Sequence, residues 1–166
     1  MSKMQPRKRI ALVAHDTQKA AMIAWAGRHK QVLARHRLWG TGTTGGRVAE
    51  TVGLDIRLLK SGPLGGDQQL GAMIVEDKLD ILIFFTDPLS ALPHDVDVKA
   101  LLRVSTLSQI VIACNSATAD FIVRSDLLNS AYRAPHLNEL DAPSTGDVAA
   151  AGSSERDARP AANEMT

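Results

Sequence analysis

Short apolar runs alternate with segments of helical periodicity along roughly the first three quarters of the chain. Residues 10–14 and 81–85 contain no polar side chain, which is typical of strands buried on both faces of a parallel sheet. The predicted strands are residues 10–14, 37–40, 56–60, 81–85 and 110–114. The predicted helices are residues 17–36, 46–53, 67–77, 98–109 and 116–125. This alternation predicts a single-domain α/β fold, a Rossmann-like three-layer sandwich with a five-stranded, mostly parallel sheet and right-handed crossovers.

The two ends of the chain differ in composition from the alternating region. Residues 1–9 carry the basic cluster Lys3, Arg7, Lys8 and Arg9, which we interpret as a solvated arm. Residues 141–166 contain no aromatic residue and too few large apolar residues to offset the entropy of ordering them, so we expect a flexible tail. The predicted domain therefore occupies residues 10–140.

Composition narrows the class of protein without identifying a partner. The chain has 166 residues, enough for one domain with a real core, and a formal net charge of +1, which gives no reason to expect nucleic acid or an acidic membrane as partner. No apolar run approaches the roughly 20 residues of a membrane-spanning helix. The one cysteine, Cys114, excludes an internal disulfide framework and fits a reducing compartment, so we expect a cytoplasmic protein.

The segment after each predicted strand is the place to look for chemistry, because ligands of open parallel sheets bind beyond the carboxyl ends of the strands. After the second strand, the stretch GTGTTGG matches the dinucleotide fingerprint G-x-G-x-x-G through Gly40, Gly42 and Gly45. The fingerprint normally follows the first strand and has an acid about 20 residues later, and neither condition is met. A nicotinamide-dependent oxidoreductase is therefore disfavoured.

A single phosphate group suits the glycine-threonine stretch better. Glycines let backbone N–H groups converge, threonine hydroxyls donate, and the next helix presents its positive N-terminus. The candidate phosphate ligands are Thr41, Gly42, Thr43 and Thr44, with Ser61 and Gly62 from the stretch after the third strand. The alternative is a plain glycine-rich turn in which Thr44 caps the helix.

The remaining candidates carry titratable side chains, and each has a structural alternative. Asp67 is either a catalytic carboxylate or a helix N-cap, and Asp97 has the same two possibilities. His94 follows Pro93 in a polar segment at the carboxyl edge of the sheet, and it is either a functional or a structural histidine. Lys19 could neutralise a phosphate. The spacings of His15, Asp16, His94 and Asp97 match no zinc or iron signature, so we expect no metal. The other histidines, His29, His36 and His136, are interpreted as solvated, and Trp25 and Trp39 as packing residues.

Taken in order, these segments resemble the methylglyoxal synthase family. The resemblance is carried by IALVAHD, TGTTG, SGPLGGDQQLGA, DILIFFTDPLSALPHDVDVKALLR and TADFI, which extend over roughly three quarters of the chain. It implies an enzyme that converts dihydroxyacetone phosphate to methylglyoxal and inorganic phosphate without a metal or organic cofactor. Proton abstraction, an enediolate intermediate and phosphate elimination would be the steps.

The resemblance also implies roles for individual residues. Asp67 stands at the position of the family's catalytic base and His94 at that of its proton-shuttling histidine. The substrate- and phosphate-binding positions are matched by His15, Lys19, Thr41, Gly42, Thr43, Thr44, Ser61 and Gly62. Asp16, Asp87 and Asp97 match supporting acids, and we count Asp97 with the catalytic residues.

The family is homohexameric and inhibited by phosphate, so a homohexamer is expected. The sequence after Tyr132 and Arg133 departs from the family pattern. The resemblance therefore does not imply the family's signalling between subunits for this chain. The alternative function is a non-catalytic phosphate- or effector-binding regulatory domain of the same fold, against which the presence of both Asp67 and His94 argues.

Overall fold

Five parallel strands form one sheet in this computed structural model, which describes residues 3–89 and 95–135. The strands are β1 Arg9–Ala14, β2 Arg37–Thr41, β3 Ile56–Leu59, β4 Ile81–Phe85 and β5 Val111–Ala113. Their order in the sheet is β3-β2-β1-β4-β5, and every neighbouring pair is parallel. The predicted α/β fold is confirmed. The predictions for His94, for His136 and for the tail at 141–166 concern positions outside the described residues.

Helices cover both faces of the sheet. They are α1 Lys19–Arg28, α2 Lys30–Leu33, α3 Gly42–Val52, α4 Gly66–Val75, α5 Asp95–Leu107 and α6 Ser116–Arg124. Single 3₁₀ turns lie at Asp16–Gln18, Gly62–Leu64 and Asp126–Leu128. Within residues 3–89 and 95–135, none of the helices combines the length and apolar character needed to cross a bilayer.

The three layers follow from the alternation of side chains along the strands. On one face Ile10 and Leu12 of β1 pack with α1, α3 and α6, around the fully buried Trp25. On the other face Ala11 and Val13 pack with α4 and α5. Burying each large aliphatic side chain contributes about 1.5–3 kcal/mol, so two apolar faces are needed to hold a sheet of this size. The interpretation of Trp25 as a packing residue is confirmed.

The expectation of a solvated basic arm is wrong for Lys8 and Arg9. Lys8 is 2% exposed, and its Nζ donates to the backbone oxygens of Gln5 (2.8 Å) and Ser130 (2.5 Å). Burial lowers the pKa of Lys8. Arg9 begins β1, and its guanidinium donates to both carboxylate oxygens of Asp80, from Nε at 3.0 Å and Nη2 at 2.7 Å. Long-range partners, which a local charge pattern does not reveal, bring these cations into the fold.

Two histidines expected on the surface are also enclosed. His36 is 4% exposed, and its Nδ1 accepts a hydrogen bond from the Lys8 backbone N–H at 3.1 Å. His29 lies where α1 meets α6, with its Nε2 2.8 Å from Asp120 Oδ1, the oxygen that also accepts from Trp25 Nε1. The two hydrogen bonds hold the pKa of Asp120 below its usual range. The solvated interpretation is therefore wrong for both His29 and His36.

The helix after β2 begins four residues earlier than predicted, at Gly42 instead of Gly46. Gly40 in β2 and Gly45 in α3 touch backbone to backbone, since a Cβ on Gly45 would lie 2.8 Å from the Gly40 Cα. A strand and a helix can come this close only where neither carries a side chain. The glycine-threonine stretch is thus the end of a strand and the first turn of a helix.

Replacing Gly45 by alanine should destabilise the fold, because the new methyl group would push α3 away from β2. We expect the free energy of unfolding to fall by about 1–3 kcal/mol, the typical cost of overpacking. Urea denaturation followed by circular dichroism measures this change.

Gly46→Ala is the matched control. A Cβ at Gly46 meets nothing within 4 Å, so the substitution should stabilise α3 by up to about 1 kcal/mol through its higher helix propensity. Equal unfolding midpoints for the two variants would contradict the close contact.

Candidate active site

A cleft of about 160 Å³ lies at the carboxyl edge of the sheet. The ends of β1, β2 and β3 and the first turns of α3 and α4 surround it, as expected for ligand sites in open parallel sheets. Nine of the residues predicted from sequence line it, namely His15, Asp16, Lys19, Thr41, Thr43, Thr44, Ser61, Gly62 and Asp67. The structure therefore brings together residues from three separate segments of the chain.

The other predicted residues lie around this cleft or outside the described residues. Gly42 and Asp87 are adjacent to lining residues without forming the wall themselves. Asp97, in the first turn of α5, lines a neighbouring cavity that also includes Asp67. His94 is outside the described residues.

The imidazole of His15 is held from two directions. Its Nδ1 accepts a hydrogen bond from the Asp87 backbone N–H at 2.8 Å, and its ring packs edge-on against Phe84 with centroids 4.9 Å apart. Because Nδ1 is an acceptor, the proton of the neutral ring resides on Nε2. His15 thus lines the cleft with its Nδ1 engaged by the backbone and its Nε2 as the nitrogen that carries the ring proton.

The side chain of Asp87 supports this arrangement. Its Oδ2 accepts from the Thr17 hydroxyl at 2.7 Å, and its Oδ1 accepts from the Leu89 backbone N–H at 2.9 Å. These bonds fix the turn that presents the Asp87 N–H to His15. The sequence analysis missed Thr17. The signal that could have found it is a hydroxyl side chain two residues after His15, in a segment predicted to lie at the sheet edge.

A lysine stands at the N-terminus of α3. Lys19 Nζ lies 2.6 Å from Asp16 Oδ1 and donates to Thr43 Oγ1 at 2.5 Å. The hydrogen bond with Lys19 lowers the pKa of the Asp16 carboxyl, which is 92% exposed, so the pair adds little to stability. Its effect is to aim a cation at the helix end where the first backbone N–H groups of α3 are unpaired.

The threonines at this helix end have different surroundings. Thr41 is the N-cap of α3 and makes no side-chain capping bond, so the alternative that Thr44 is the cap is wrong. Thr44 is buried, and its hydroxyl donates to the Ala14 carbonyl at 3.3 Å, which ties α3 to the end of β1. The Thr43 side chain is exposed at the cleft beside Lys19.

Asp67 lies in the first turn of α4, close to Gly62. A side chain at Gly62 would come within 3.1 Å of Asp67 Oδ1, so the carboxylate lies directly over this glycine. Gly65, at φ 95°, is the N-cap of α4, and the alternative that Asp67 caps the helix is therefore wrong. Gly42, at φ 27°, packs its Cα against Ser61, which brings the α3 terminus next to the segment that leads to Asp67.

These contacts make two chemically different ends within one cleft. One end has a lysine, a threonine hydroxyl and a helix N-terminus, which together suit an anion. The other has a carboxylate that can accept a proton, with the His15 N–H as a donor nearby. Among the residues the structure describes, no group of three or more histidine, cysteine or acidic residues is arranged to hold a metal ion.

Comparisons with known proteins bear on the family of this chain. The family model of the MGS-like domain matches residues 21–114. Methylglyoxal synthases from Yersinia pestis (strain Pestoides F) and Yersinia pseudotuberculosis (serotype O:1b, strain IP 31758) are each 54% identical over 124 residues, covering 75% of this chain and 80% of theirs. The crystal structure of methylglyoxal synthase from Elizabethkingia anophelis NUHP1 superposes with a TM-score of 0.78 at 47% identity, covering 81% of this chain and 89% of that one. The chain belongs to the methylglyoxal synthase family.

Proposed function

We propose that the cleft converts dihydroxyacetone phosphate to methylglyoxal and inorganic phosphate, with Asp67 as the base. The chain is a methylglyoxal synthase, a carbon-oxygen lyase, by its close relatives. The observation that carries the residue assignment is the geometry of the cleft, which pairs an anion site at the α3 N-terminus with a carboxylate over Gly62. The substrate is a phosphate ester with an acidic C–H bond beside its carbonyl. Its conversion needs the anion site for the phosphate and the carboxylate for the proton.

The phosphate of the substrate binds at the α3 end of the cleft. The helix N-terminus, the Lys19 ammonium and the Thr43 hydroxyl supply donors and positive charge for a dianion. Lys19 is already oriented by Asp16, so little side-chain entropy is lost when the phosphate arrives. Ser61 and Gly62 border the same space from the β3 side.

Asp67 takes a proton from the hydroxymethyl carbon, and the C–H electron pair forms the double bond of an enediolate. A carboxylate is a weak base for a carbon acid, so the step succeeds only if the developing oxyanion is stabilised as the proton leaves. The C–O bond to phosphate then breaks, and its electron pair leaves with the phosphate. The remaining enol is protonated at carbon to give methylglyoxal.

His15 stabilises the developing oxyanion as a fixed hydrogen-bond donor. Its Nδ1 is engaged by the Asp87 N–H, so we infer that Nε2 is the nitrogen that donates to a substrate oxygen. A second histidine is needed to move protons between the two oxygens of the enediolate. The resemblance assigns that role to His94 and a supporting catalytic role to Asp97.

The anion site also determines which way the enediolate reacts. If the bridging C–O bond lies in the plane of the enediolate, elimination is blocked and only reprotonation follows. If that bond stands perpendicular to the plane, the π electrons expel phosphate. We infer that Lys19 and Thr43 hold the phosphate in the perpendicular arrangement and stabilise the departing anion.

The family resemblance supports three further expectations. They are assembly as a homohexamer, inhibition by inorganic phosphate at the same anion site, and a cytoplasmic location. A regulatory domain that binds an effector without chemistry remains the alternative function. A base in the cleft favours the enzyme, because such a domain has no use for a carboxylate aimed at the ligand.

Asp67→Asn should abolish turnover while leaving phosphate binding largely intact, because the amide keeps the shape but cannot accept the proton. We expect kcat to fall by about 10²–10⁴-fold. Methylglyoxal and free phosphate are assayed from dihydroxyacetone phosphate, and inorganic phosphate binding is measured by calorimetry. Asp126→Asn, an exposed acid in the turn Asp126–Leu128, is the control. An Asp67→Asn enzyme with activity within a few-fold of the control would rule out this carboxylate as the base.

Thr43→Ala should slow phosphate loss more than proton exchange, because it removes a hydroxyl from the anion site and not from the base. We expect product formation to fall by about 10²-fold, the effect of losing one transition-state donor. Exchange of the substrate C–H with deuterated solvent should fall far less. Thr43→Ser, which retains the hydroxyl, should restore most of the product rate. Equal losses in exchange and product formation would contradict the torsional role.

Thr17→Val should lower kcat with little change in KM, because Thr17 positions the Asp87 turn and, through it, the His15 donor. We expect a loss of about tenfold, which corresponds to one hydrogen bond of roughly 1.5 kcal/mol to a charged group. Thr17→Ser should recover the activity. Thr51→Val, at an exposed position on α3, is the control. Equal kcat values for Thr17→Val and Thr51→Val would contradict the positioning role of Thr17.

A further inference from the structure

A second polar cavity, of about 570 Å³, lies at the opposite edge of the sheet from the active-site cleft. It is formed where the chain enters β1, β2 and β3, and where α2 and α3 end. The proposed reaction uses none of its residues. Three arginines line it, Arg7, Arg37 and Arg57, with His36 and one acid, Asp55.

The charge of this cavity is unbalanced. Three guanidinium groups against one carboxylate, with His36 neutral, leave a formal charge of +2 on the lining. In the part of the chain that the structure describes, no carboxylate forms an ion pair with any of the three arginines. Further cations lie close by, since Lys30 Nζ approaches Gly53, which also lines the cavity, and the charge of Arg35 acts on His36.

His36 lies buried in the wall of the cavity. Its Nδ1 accepts from the Lys8 N–H, so the ring proton is on Nε2. Among the described residues, this Nε2 is the one buried side-chain nitrogen or oxygen without a hydrogen-bond partner. A buried donor of this kind normally has an acceptor, and a turn of the ring toward the cavity would bring this N–H to a bound anion.

We propose that this cavity binds a dianionic phosphate group, free or as a small ester, at a site separate from the active-site cleft. Two negative charges match the formal charge of the lining. Guanidinium groups bind phosphate oxygens in pairs, and His36, once its ring turns toward the cavity, adds a neutral donor for one more oxygen. Among the described residues that line the cavity none is phenylalanine, tyrosine or tryptophan, which fits a compact anion better than a planar base.

The site is tested in the full chain with the active-site cleft weakened by Lys19→Ala. Calorimetry with inorganic phosphate should still find about one phosphate per chain in this variant. The imidazole resonances of His36, followed by NMR, should shift in the same titration. Absence of phosphate binding in Lys19→Ala, or binding without any response from His36, would overturn the proposal.

Arg7→Gln combined with Arg37→Gln, in the Lys19→Ala background, should weaken the remaining binding by at least about tenfold, because two charge-assisted contacts are lost. Arg57 is left in place because its guanidinium packs 5.7 Å from the Trp39 ring centroid. Arg103→Gln with Arg124→Gln is the charge-matched control on the exposed faces of α5 and α6. An equal loss in the control would overturn the proposal.

Glycerol phosphate provides the second arm of the titration. Tighter binding of the ester than of inorganic phosphate identifies a phosphate ester as the natural class, and the reverse identifies free phosphate. With Lys19 restored, the Arg7 and Arg37 double variant should retain its activity in phosphate-free buffer, since the site lies at the other edge of the sheet. This result separates the proposal from the assignment of the active site.

Discussion

The backbone contact between Gly40 in β2 and Gly45 in α3 is the constraint on which the site depends. It lets α3 begin at Gly42, directly after the strand, so that the helix N-terminus lies at the carboxyl edge of the sheet. Gly42 then packs on Ser61, which leads to Asp67. Side chains at these glycines would move the anion site away from the base and separate the two ends of one small substrate.

Different structural elements hold the two ends of the cleft and the imidazole of His15. The strand ends and first helical turns carry the residues that we propose to bind the phosphate and to remove the proton. The imidazole of His15 is oriented by a backbone N–H and an aromatic ring, which suits the donor role that we propose for it. Preorganised donors of this kind lose no energy to reorientation when charge develops in the transition state.

The sheet, and the cleft at its carboxyl edge where predicted site residues meet, could be predicted from sequence because they depend on local patterns. β4 has the predicted bounds, since its fully apolar run suits only a strand covered on both faces. The start of α3 was missed, because glycines and threonines are typical of turns and only the contact with Gly40 makes them helical. Lys8, His36 and Thr17 were misread or missed because their partners lie 28 to 122 residues away in the chain.

The most direct test of the account is a crystal structure of the chain with a stable analogue of the enediolate of dihydroxyacetone phosphate. The account predicts the phosphate of the analogue against Lys19, Thr43 and the first turn of α3. It also predicts the Asp67 carboxylate in contact with the carbon that loses its proton. A carboxylate turned away, more than one layer of water from the carbon chain of the analogue, would contradict the account, because Asp67 could not then remove the proton.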